Sequence, residues 1–363
     1  MTQAIDAIAA PRSPHLRIVG VVSAAHFVSH YYILLLAPLM PFVRDEYGVS
    51  YTEIGLAFAA FNVVSALLQT PAGFLVDRLG ARMLLIAGLL ISAIAFALVG
   101  VVHSFWVLVA MFGLAGVGNT VFHPADYTLL SQHVPSARIG QAFSVHTFAG
   151  MLGSAVTPPA VLAMQAMWGW RGAMIGSAVL GLIAAALLIA VRDRKPPRPA
   201  PRQPPAASDR TDWQVLMSAP ILLSLGFFML LAMMNAGISN YSVVAFGALF
   251  GTPVDTANAA LTGYLLLMAV GVLAGGLLVG RTRRHSLVAS LGLGAAAAFT
   301  VLFAEIELGP VALIAAMSLA GFFSGIIMPS RDMIVREVSR PARSARCSAS
   351  SPPASISAAS SRP

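Results

Sequence analysis

Charged residues and cysteine are both scarce in this sequence of 363 residues. Only 10% of the residues are Asp, Glu, Lys or Arg, against roughly 25% in an ordinary soluble domain. Hydrophobic residues make up 58% and the mean hydropathy is +0.81, which excludes a water-soluble globule. The single cysteine, Cys347, excludes an internal disulfide, so stability has to come from helix packing in lipid.

The sequence also lacks the G-x4-G-K-[ST] loop that cradles the phosphates of ATP, which argues against ATP hydrolysis as an energy source. A hydrocarbon core ~30 Å thick takes about 20 apolar residues per helical span. The chain therefore has room for roughly ten to twelve spans and for no sizeable soluble enzyme domain. We expect no enzymatic activity and no cofactor.

Apolar runs occupy most of the chain, six before a proline-rich interruption and four after it. The first six lie at 17–43, 53–76, 83–102, 105–130, 139–164 and 171–191. The last four lie at 216–250, 259–279, 286–303 and 309–335. Between them, residues 192–212 hold six prolines, five arginines and Lys195, which excludes a buried helix. The runs predict an all-α polytopic membrane protein with six plus about four transmembrane helices.

The order of these runs predicts five segments. They are an N-terminal cytoplasmic tail (1–16), a six-helix bundle (17–191), a cytoplasmic linker rich in Pro and Arg (192–213), an incomplete second bundle of about four helices (214–335) and a disordered tail (336–363).

Arginine placement predicts the orientation, because Lys and Arg in short loops resist translocation across the membrane. With the N-terminus in the cytoplasm, only Arg44 and Arg171 fall outside. The outer loops carry acidic residues instead, namely Asp45, Glu46, Asp255, Glu305 and Glu307. The formal net charge of +8 is then a topology signal. We predict a multi-pass protein of the inner (cell) membrane that has no nucleic-acid partner.

The two groups of runs contain similar stretches at a nearly constant shift. Residues 73–78 (GFLVDR) are similar to residues 276–281 (GLLVGR), 203 positions later. Leu114, Ala115, Gly116 and Pro124 are matched 205 positions later by Leu319, Ala320, Gly321 and Pro329. Because transporters are often built from repeated halves, the shift predicts two homologous bundles joined by the linker.

The loop between the second and third runs carries five residues in a fixed pattern, Gly73, Asp77, Arg78, Gly80 and Arg82. The pattern G-x3-D-R-x-G-x-R resembles the signature of the major facilitator superfamily. The resemblance implies two bundles around a central cavity that opens alternately to each side, with these residues as a gating motif at the cytoplasmic face. Ordinary positive-inside arginines beside a chance aspartate are the alternative. In the second half Gly280 and Arg283 replace Asp77 and Gly80, so we expect the motif in the first half only.

A finer resemblance rests on the first and fourth runs. These runs contain His26, Phe27 and Val28, then Asn119, Phe122, His123 and Pro124, and are similar to the fosmidomycin-resistance group of exporters. This resemblance implies drug export by proton exchange. That group typically has a glutamate after the His-Pro pair, whereas Ala125 and then Asp126 follow here. One residue turns a side chain by about 100° on a helix, which leaves open whether Asp126 has the role of that glutamate.

Ionisable residues inside the apolar runs are candidate functional residues, because each costs ~2.5–3.5 kcal/mol on insertion scales. Asp126 is the only acidic residue well inside a run of the first half, and His123 lies three positions before it. The resemblance places the first and fourth runs at the cavity. The candidates for a substrate or proton site are His26, His30, Asn119, His123, Asp126, His146, Asn235 and Asn240.

These candidates have structural alternatives. Each histidine is equally compatible with a neutral hydrogen bond between helices. Asp126 is compatible with a solvated position near the cytoplasmic end, and Asn235 and Asn240 with helix packing.

We predict a secondary active transporter that moves a small solute by alternating access, coupled to a proton because a histidine pKa near 6.5 lies close to physiological pH. Its partners are the solute, H+ and the lipid bilayer, and we expect a monomer without a metal. An organic acid, a phosphonate-like drug and a polar metabolite fit the candidate residues equally well. Two alternatives stay open: an inactive remnant whose second bundle lacks two helices, and a membrane haem or metal protein built on the histidines.

The tail from Ala342 to Pro363 is rich in Ser, Ala, Arg and Pro. Its letters are compatible with GC-rich codons that, shifted by one base, encode an apolar helix. That helix would continue the 205-residue repeat beyond Pro329. We therefore predict an out-of-frame version of an eleventh membrane helix, with a genuine disordered tail as the alternative.

Overall fold

The computed structural model describes residues 14–135, 138–191, 217, 219–279, 281–282 and 284–338. In this part of the chain the regular structure is helical and no strand occurs. The α-helices are α1 (Pro14–Ile33), α2 (Met40–Tyr47), α3 (Tyr51–Leu79), α4 (Ala81–Val101), α5 (Phe105–Asn119), α6 (Phe122–His133), α7 (Ile139–Ala190), α8 (Ala219–Phe250), α9 (Val254–Val279), α10 (His285–Glu305) and α11 (Pro310–Val338). The predicted all-α class is confirmed. Residues 1–13 of the expected N-terminal tail, the whole linker (192–213) and residues 339–363 of the expected C-terminal tail lie outside the described residues. The tails are shorter than expected, because residues 14–16 belong to α1 and residues 336–338 to α11.

Nine helical stretches among the described residues are long and apolar enough to cross a membrane. One of them contains two spans, because α7 is interrupted at Gly169, where φ is 69° and ψ is 169°. Glycine adopts this left-handed φ without the steric cost of a Cβ. Ten spans result, as the apolar runs predict, but a single residue replaces the loop expected between the fifth and sixth runs.

The first and fourth runs are not single straight helices. In the first, a 3-10 turn at Ala37–Leu39 separates α1 from α2. In the fourth, α5 ends at Asn119 and α6 begins at Phe122. Pro124 has no N–H to donate to the carbonyl of Thr120, so the regular ladder cannot pass this point.

Close glycine contacts show the internal repeat in three dimensions. A Cβ on Gly116 of α5 would lie 2.5 Å from the carbonyl oxygen of Phe61 in α3. In the second half Gly321 of α11 packs in the same way on the carbonyl oxygen of Tyr264 in α9. The shifts are again 205 and 203 residues. Both halves therefore use a glycine to bring equivalent helix pairs into backbone contact.

The two halves contact each other on the arginine-poor side, near the helix ends that lie there. The ring of Phe58, close to the start of α3, lies 5.9 Å from the ring of Tyr241 in α8. A Cβ on Gly55 would lie 3.0 Å from the hydroxyl oxygen of Tyr241. Leu34 and Ala155 of the first half also join the apolar core of the second half.

Candidate functional site

Five of the candidate residues meet between α1, α6 and α7. We call them the His/Asp cluster: His26, His30, His123, Asp126 and His146. Asp126 has no exposed surface. Its Oδ2 lies 3.3 Å from Nδ1 of His26 and 3.6 Å from Nε2 of His146. Each of the two histidines comes from a different helix, so one carboxylate connects three helices.

The histidine rings of the cluster pack on one another. The rings of His26 and His146 are stacked at 3.8 Å, with their planes 23° apart. The ring of His30 lies 4.6 Å from that of His26. Nδ1 of His30 is 3.3 Å from the hydroxyl of Ser154. His30 is thus tied to α7 independently of the carboxylate.

Local sequence explains why these side chains converge. His26 and His30 are one helical turn apart, so they share a face of α1. Gly150 of α7 lies against both rings, and a Cβ there would lie 2.6 Å from Cδ2 of His26. The absence of a side chain at Gly150 gives the two imidazoles their space.

Asp126 and His123 differ in their surroundings although they are one turn apart. The alternative of a solvated Asp126 near the cytoplasmic end is wrong, because its side chain is fully enclosed. Ala125, at the position of the family's glutamate, is also fully buried, and Asp126 is the residue that contacts the histidines. His123 is exposed, with its ring 5.8 Å from that of His26. It lies at the edge of the cluster beside the exposed Tyr127.

The cluster is better suited to a proton than to a metal ion. His26, Asp126 and His146 each offer a ligand atom, and these atoms lie within 4.8 Å of one another. Nearly parallel stacked rings, however, direct their nitrogen lone pairs along nearly parallel lines and not towards one ion about 2.1 Å away. Within the described residues neither carboxylate oxygen of Asp126 has a hydrogen bond. Burial of a carboxylate without hydrogen bonds is costly, and protonation lowers that cost because it removes the charge.

A second set of polar contacts ties α1, α3 and α5 together. The hydroxyl of Ser29 donates to Oδ1 of Asn119 at 3.1 Å. The amide of Asn119 then donates to the hydroxyl of Ser65 at 2.9 Å. We call this chain the Asn119 bridge. It is adjacent to the His/Asp cluster in sequence, because Ser29 precedes His30.

The second half has a corresponding bridge. The hydroxyl of Tyr264 in α9 donates to Oδ1 of Asn235 in α8 at 2.9 Å. We call this the Asn235 bridge. Asn240, in contrast, donates to the carbonyl of Ala236 in its own helix. Neither Asn235 nor Asn240 lies in the His/Asp cluster.

The five residues of the motif lie where α3 meets α4. Gly80 separates the two helices with φ 95°. Arg82 donates to the carbonyl oxygens of Leu188 and Ile189 at the end of α7. A cation there complements the negative end of the helix dipole. Asp77 and Arg78 are exposed and Gly73 is half-buried.

An ion pair on the arginine-poor side was not predicted from the sequence. Arg171 of α7 donates two hydrogen bonds to Oε1 of Glu46, at 2.6 and 2.9 Å. It also donates to the hydroxyl of Tyr47 and to the carbonyls of Val99 and Val102. The indole N–H of Trp170 donates to the other oxygen of Glu46. The signal in the sequence was the position of Arg171 as an exception to the arginine asymmetry, beside acidic Glu46 in another outer loop.

Ten spans, two helix bundles with equivalent glycine contacts and a polar site between the spans define a polytopic membrane protein of the transporter type. Residues 22–249 match the Major Facilitator Superfamily. The match covers more than half of the chain, and the chain belongs to this superfamily. The resemblance inferred from the motif of Gly73 to Arg82 is therefore confirmed.

Several curated proteins are similar in sequence. The fosmidomycin resistance protein of Escherichia coli is 24% identical over 334 residues, which is 87% of this chain and 79% of that protein. The probable sulfoacetate transporter of Cupriavidus necator is 33% identical over 168 residues, 46% of this chain and 38% of the relative. The probable L-galactonate transporter of Escherichia coli is 32% identical over 143 residues, 39% of this chain and 32% of the relative.

The matched segment thus spans only 38% and 32% of the length of these last two relatives. Among solved structures, a bacterial homolog of the human lysosomal transporter Spinster, in an inward-facing and unoccupied conformation, aligns with a TM-score of 0.71 at 14% identity. The alignment covers 94% of this chain and 79% of that one. It shows that the fold is shared.

Proposed function

We propose that this protein is a proton-coupled secondary transporter that moves a small organic solute by alternating access, with the His/Asp cluster as the proton site. One observation carries the proposal. Asp126 has no exposed surface and is flanked by the imidazole nitrogens of His26 and His146. A carboxylate in this position is stabilised when it binds a proton, and the neighbouring nitrogens can deliver or receive that proton.

Among the described residues, the titratable side chains at Asp126 and around its histidine partners come from α1, α6 and α7. They are His26 and His30 of α1, His123 and Tyr127 of α6, and His146 of α7. None of these side chains carries a fixed positive charge. The charge of the site therefore depends on how many protons it holds, and the pH on the accessible side can set it.

The relatives support an organic acid or a drug-like acid as the solute. Their names refer to sulfoacetate, L-galactonate and fosmidomycin. We further propose that the protein lies in the inner membrane as a monomer, with its N-terminus in the cytoplasm, because the arginines cluster on that side.

Flux in proteoliposomes under an imposed pH gradient tests this function. The purified chain is reconstituted, and labelled sulfoacetate, galactonate and fosmidomycin are offered with and without a gradient. We expect at least one solute to accumulate, and a protonophore to abolish the accumulation. Equal uptake with and without the gradient would contradict proton coupling, and no flux of any solute would favour the inactive remnant.

A further inference from the structure

Asp126 is enclosed, so a proton can reach it only through a neighbouring side chain. Its side chain has no exposed surface. Within the described residues two ionisable groups contact it, Nδ1 of His26 at 3.3 Å and Nε2 of His146 at 3.6 Å. Neither pair is aligned as a hydrogen bond, so a small rotation of the ring has to precede each transfer. The proton of Asp126 therefore passes through His26 or through His146.

His146 connects Asp126 to no further proton donor. Its side chain is only 3% exposed, and among the described residues its second ring nitrogen, Nδ1, is buried without a hydrogen-bond partner. A neutral imidazole carries one N–H, and a bare lone pair at a buried nitrogen costs less than an unused N–H. The N–H of His146 therefore belongs on Nε2, towards Asp126, and Nδ1 has no neighbour from which to receive another proton.

His26 connects Asp126 to a ring that water can reach. The centroid of the His26 ring lies 4.6 Å from that of His30 and 5.8 Å from that of His123, with the rings edge to face in both pairs. His30 is half-buried and held by Ser154, whereas His123 is exposed. An exposed imidazole at membrane depth faces a water-filled space, because contact of so polar a group with hydrocarbon is costly.

The side from which water reaches His123 follows from where the two halves meet. Phe58 and Tyr241 close the space between the halves on the arginine-poor side. The exposed ring of His123 is therefore open to water from the arginine-rich side in this conformation.

We propose that His123 is the port through which protons enter and leave the site, and that His26 is the relay between His123 and Asp126. His123 takes a proton from water and passes it to Nε2 of His26, directly or across one water molecule. His26 then releases the proton on its Nδ1 to Oδ2 of Asp126. This leaves His26 neutral with its N–H on Nε2, and the reverse sequence discharges the site. The assignment rests on the proposed function, because it takes Asp126 as the proton site.

Loss of a port changes the rate of proton binding and not the amount bound. The equilibrium is set by Asp126 and the two rings that contact it, whereas His123 only carries the proton to them. Imidazole added to the buffer can take over the transfer at an exposed position, but it has no access to an enclosed one such as that of His146. A merely structural role of His123 would give no such rescue.

A rapid pH jump to acid on the purified full chain in detergent tests the port without any solute. Time-resolved infrared spectroscopy follows the C=O stretch of the protonated carboxyl group, and Asp126→Asn gives the background to subtract. We expect His123→Ala to slow this signal by at least about tenfold, with the same final amplitude. Imidazole in the buffer should restore the rate, and a bulky sulfonate buffer at equal concentration should not.

His103→Ala is the matched control, because His103 is also exposed but lies beyond the end of α4, outside the His/Asp cluster. It should leave the rate unchanged. Should His123→Ala fail to fold, His123→Gln keeps a polar side chain that carries no proton at neutral pH and should show the same slowing.

Three outcomes would overturn the proposal: folded His123 variants that protonate Asp126 as fast as the wild type, a slow variant that imidazole does not rescue, or a wild type without an Asp126-dependent signal. Slowing by Tyr127→Phe alone would also overturn it, because the port would then be the neighbouring exposed tyrosine. A rate that depends on His123, in a protein that accumulates no solute under a pH gradient, would refute the proposed function alone.

Discussion

Gly150 of α7 lies directly against the imidazole of His26 in α1, so that a methyl group at Gly150 would be 2.6 Å from Cδ2 and 2.7 Å from Nε2 of the ring. The same methyl group would be 3.0 Å from Cδ2 of His30. The small size of this residue therefore allows α1 and α7 to approach each other closely at the level of the carboxylate.

We expect Gly150→Ala to displace His26 from Asp126 and to destabilise the protein by about 1–3 kcal/mol, as overpacking of a filled core does. The thermal midpoint in detergent should fall, and the pH dependence of transport should change with it. Gly20→Ala is the control, because nothing lies within 4 Å of a Cβ at Gly20 in α1. A Gly150→Ala protein with unchanged stability and pH dependence would contradict the contact.

Asp126→Asn should abolish accumulation of solute driven by a pH gradient. The amide has nearly the shape of the carboxyl group but cannot give up a proton, so the side chain at position 126 is fixed in an uncharged form. Exchange of labelled for unlabelled solute should persist, since it needs no net proton movement. Asp255→Asn at the exposed start of α9 should leave both properties intact. Retention of gradient-driven accumulation by Asp126→Asn would remove Asp126 from the proton site.

Glu46→Gln should lower the free energy of unfolding by about 1–2 kcal/mol, because the charge-assisted bonds from Arg171 are lost while water partly replaces them. Thermal denaturation in detergent measures the effect. Asp45→Asn is the comparison, because Asp45 is 77% exposed and only 3.9 Å from Arg44. Equal stabilities of the two variants would show that the Glu46 pair contributes nothing.

Asp77→Asn should slow transport more than it weakens solute binding. Asp77 lies at the end of α3, near the turn that leads to Arg82 and its contacts with α7, and outside the His/Asp cluster. The measurements are the maximal rate of uptake and the dissociation constant of the same solute. Weaker binding with an unchanged maximal rate would assign Asp77 to the solute site instead of the gating motif.

Labelling of single cysteines should report the orientation. In a Cys347→Ser background, Ser208→Cys in the linker should resist an impermeant thiol reagent in intact cells, and Thr256→Cys at the start of α9 should react. Arginine placement is the reason, since inner segments hold nearly all basic residues. The opposite labelling pattern would reverse the predicted topology.

The sequence pattern was sufficient to predict the ten spans, the repeat and the shared face of His26 and His30. Each of these depends on neighbours along one helix, or on similarity between two segments. The approach of His146 to Asp126 and the link from His30 to Ser154 depend on the spacing between helices. That spacing is set by contacts such as Gly150 against His26, for which the sequence has no periodic signal. The break after Asn119 could be predicted only in part, because Pro124 was its one signal in the sequence.

Gly169 has a consequence for how the protein is made. The two spans of α7 have one non-helical glycine between them, so the arginine-poor side presents almost no loop there. Neither span can be released into the bilayer long before the other, and the insertion machinery has to accept them as a hairpin. A protease added on that side should find almost no loop to cut at this turn, and an epitope inserted there should separate two helices that enter the membrane together.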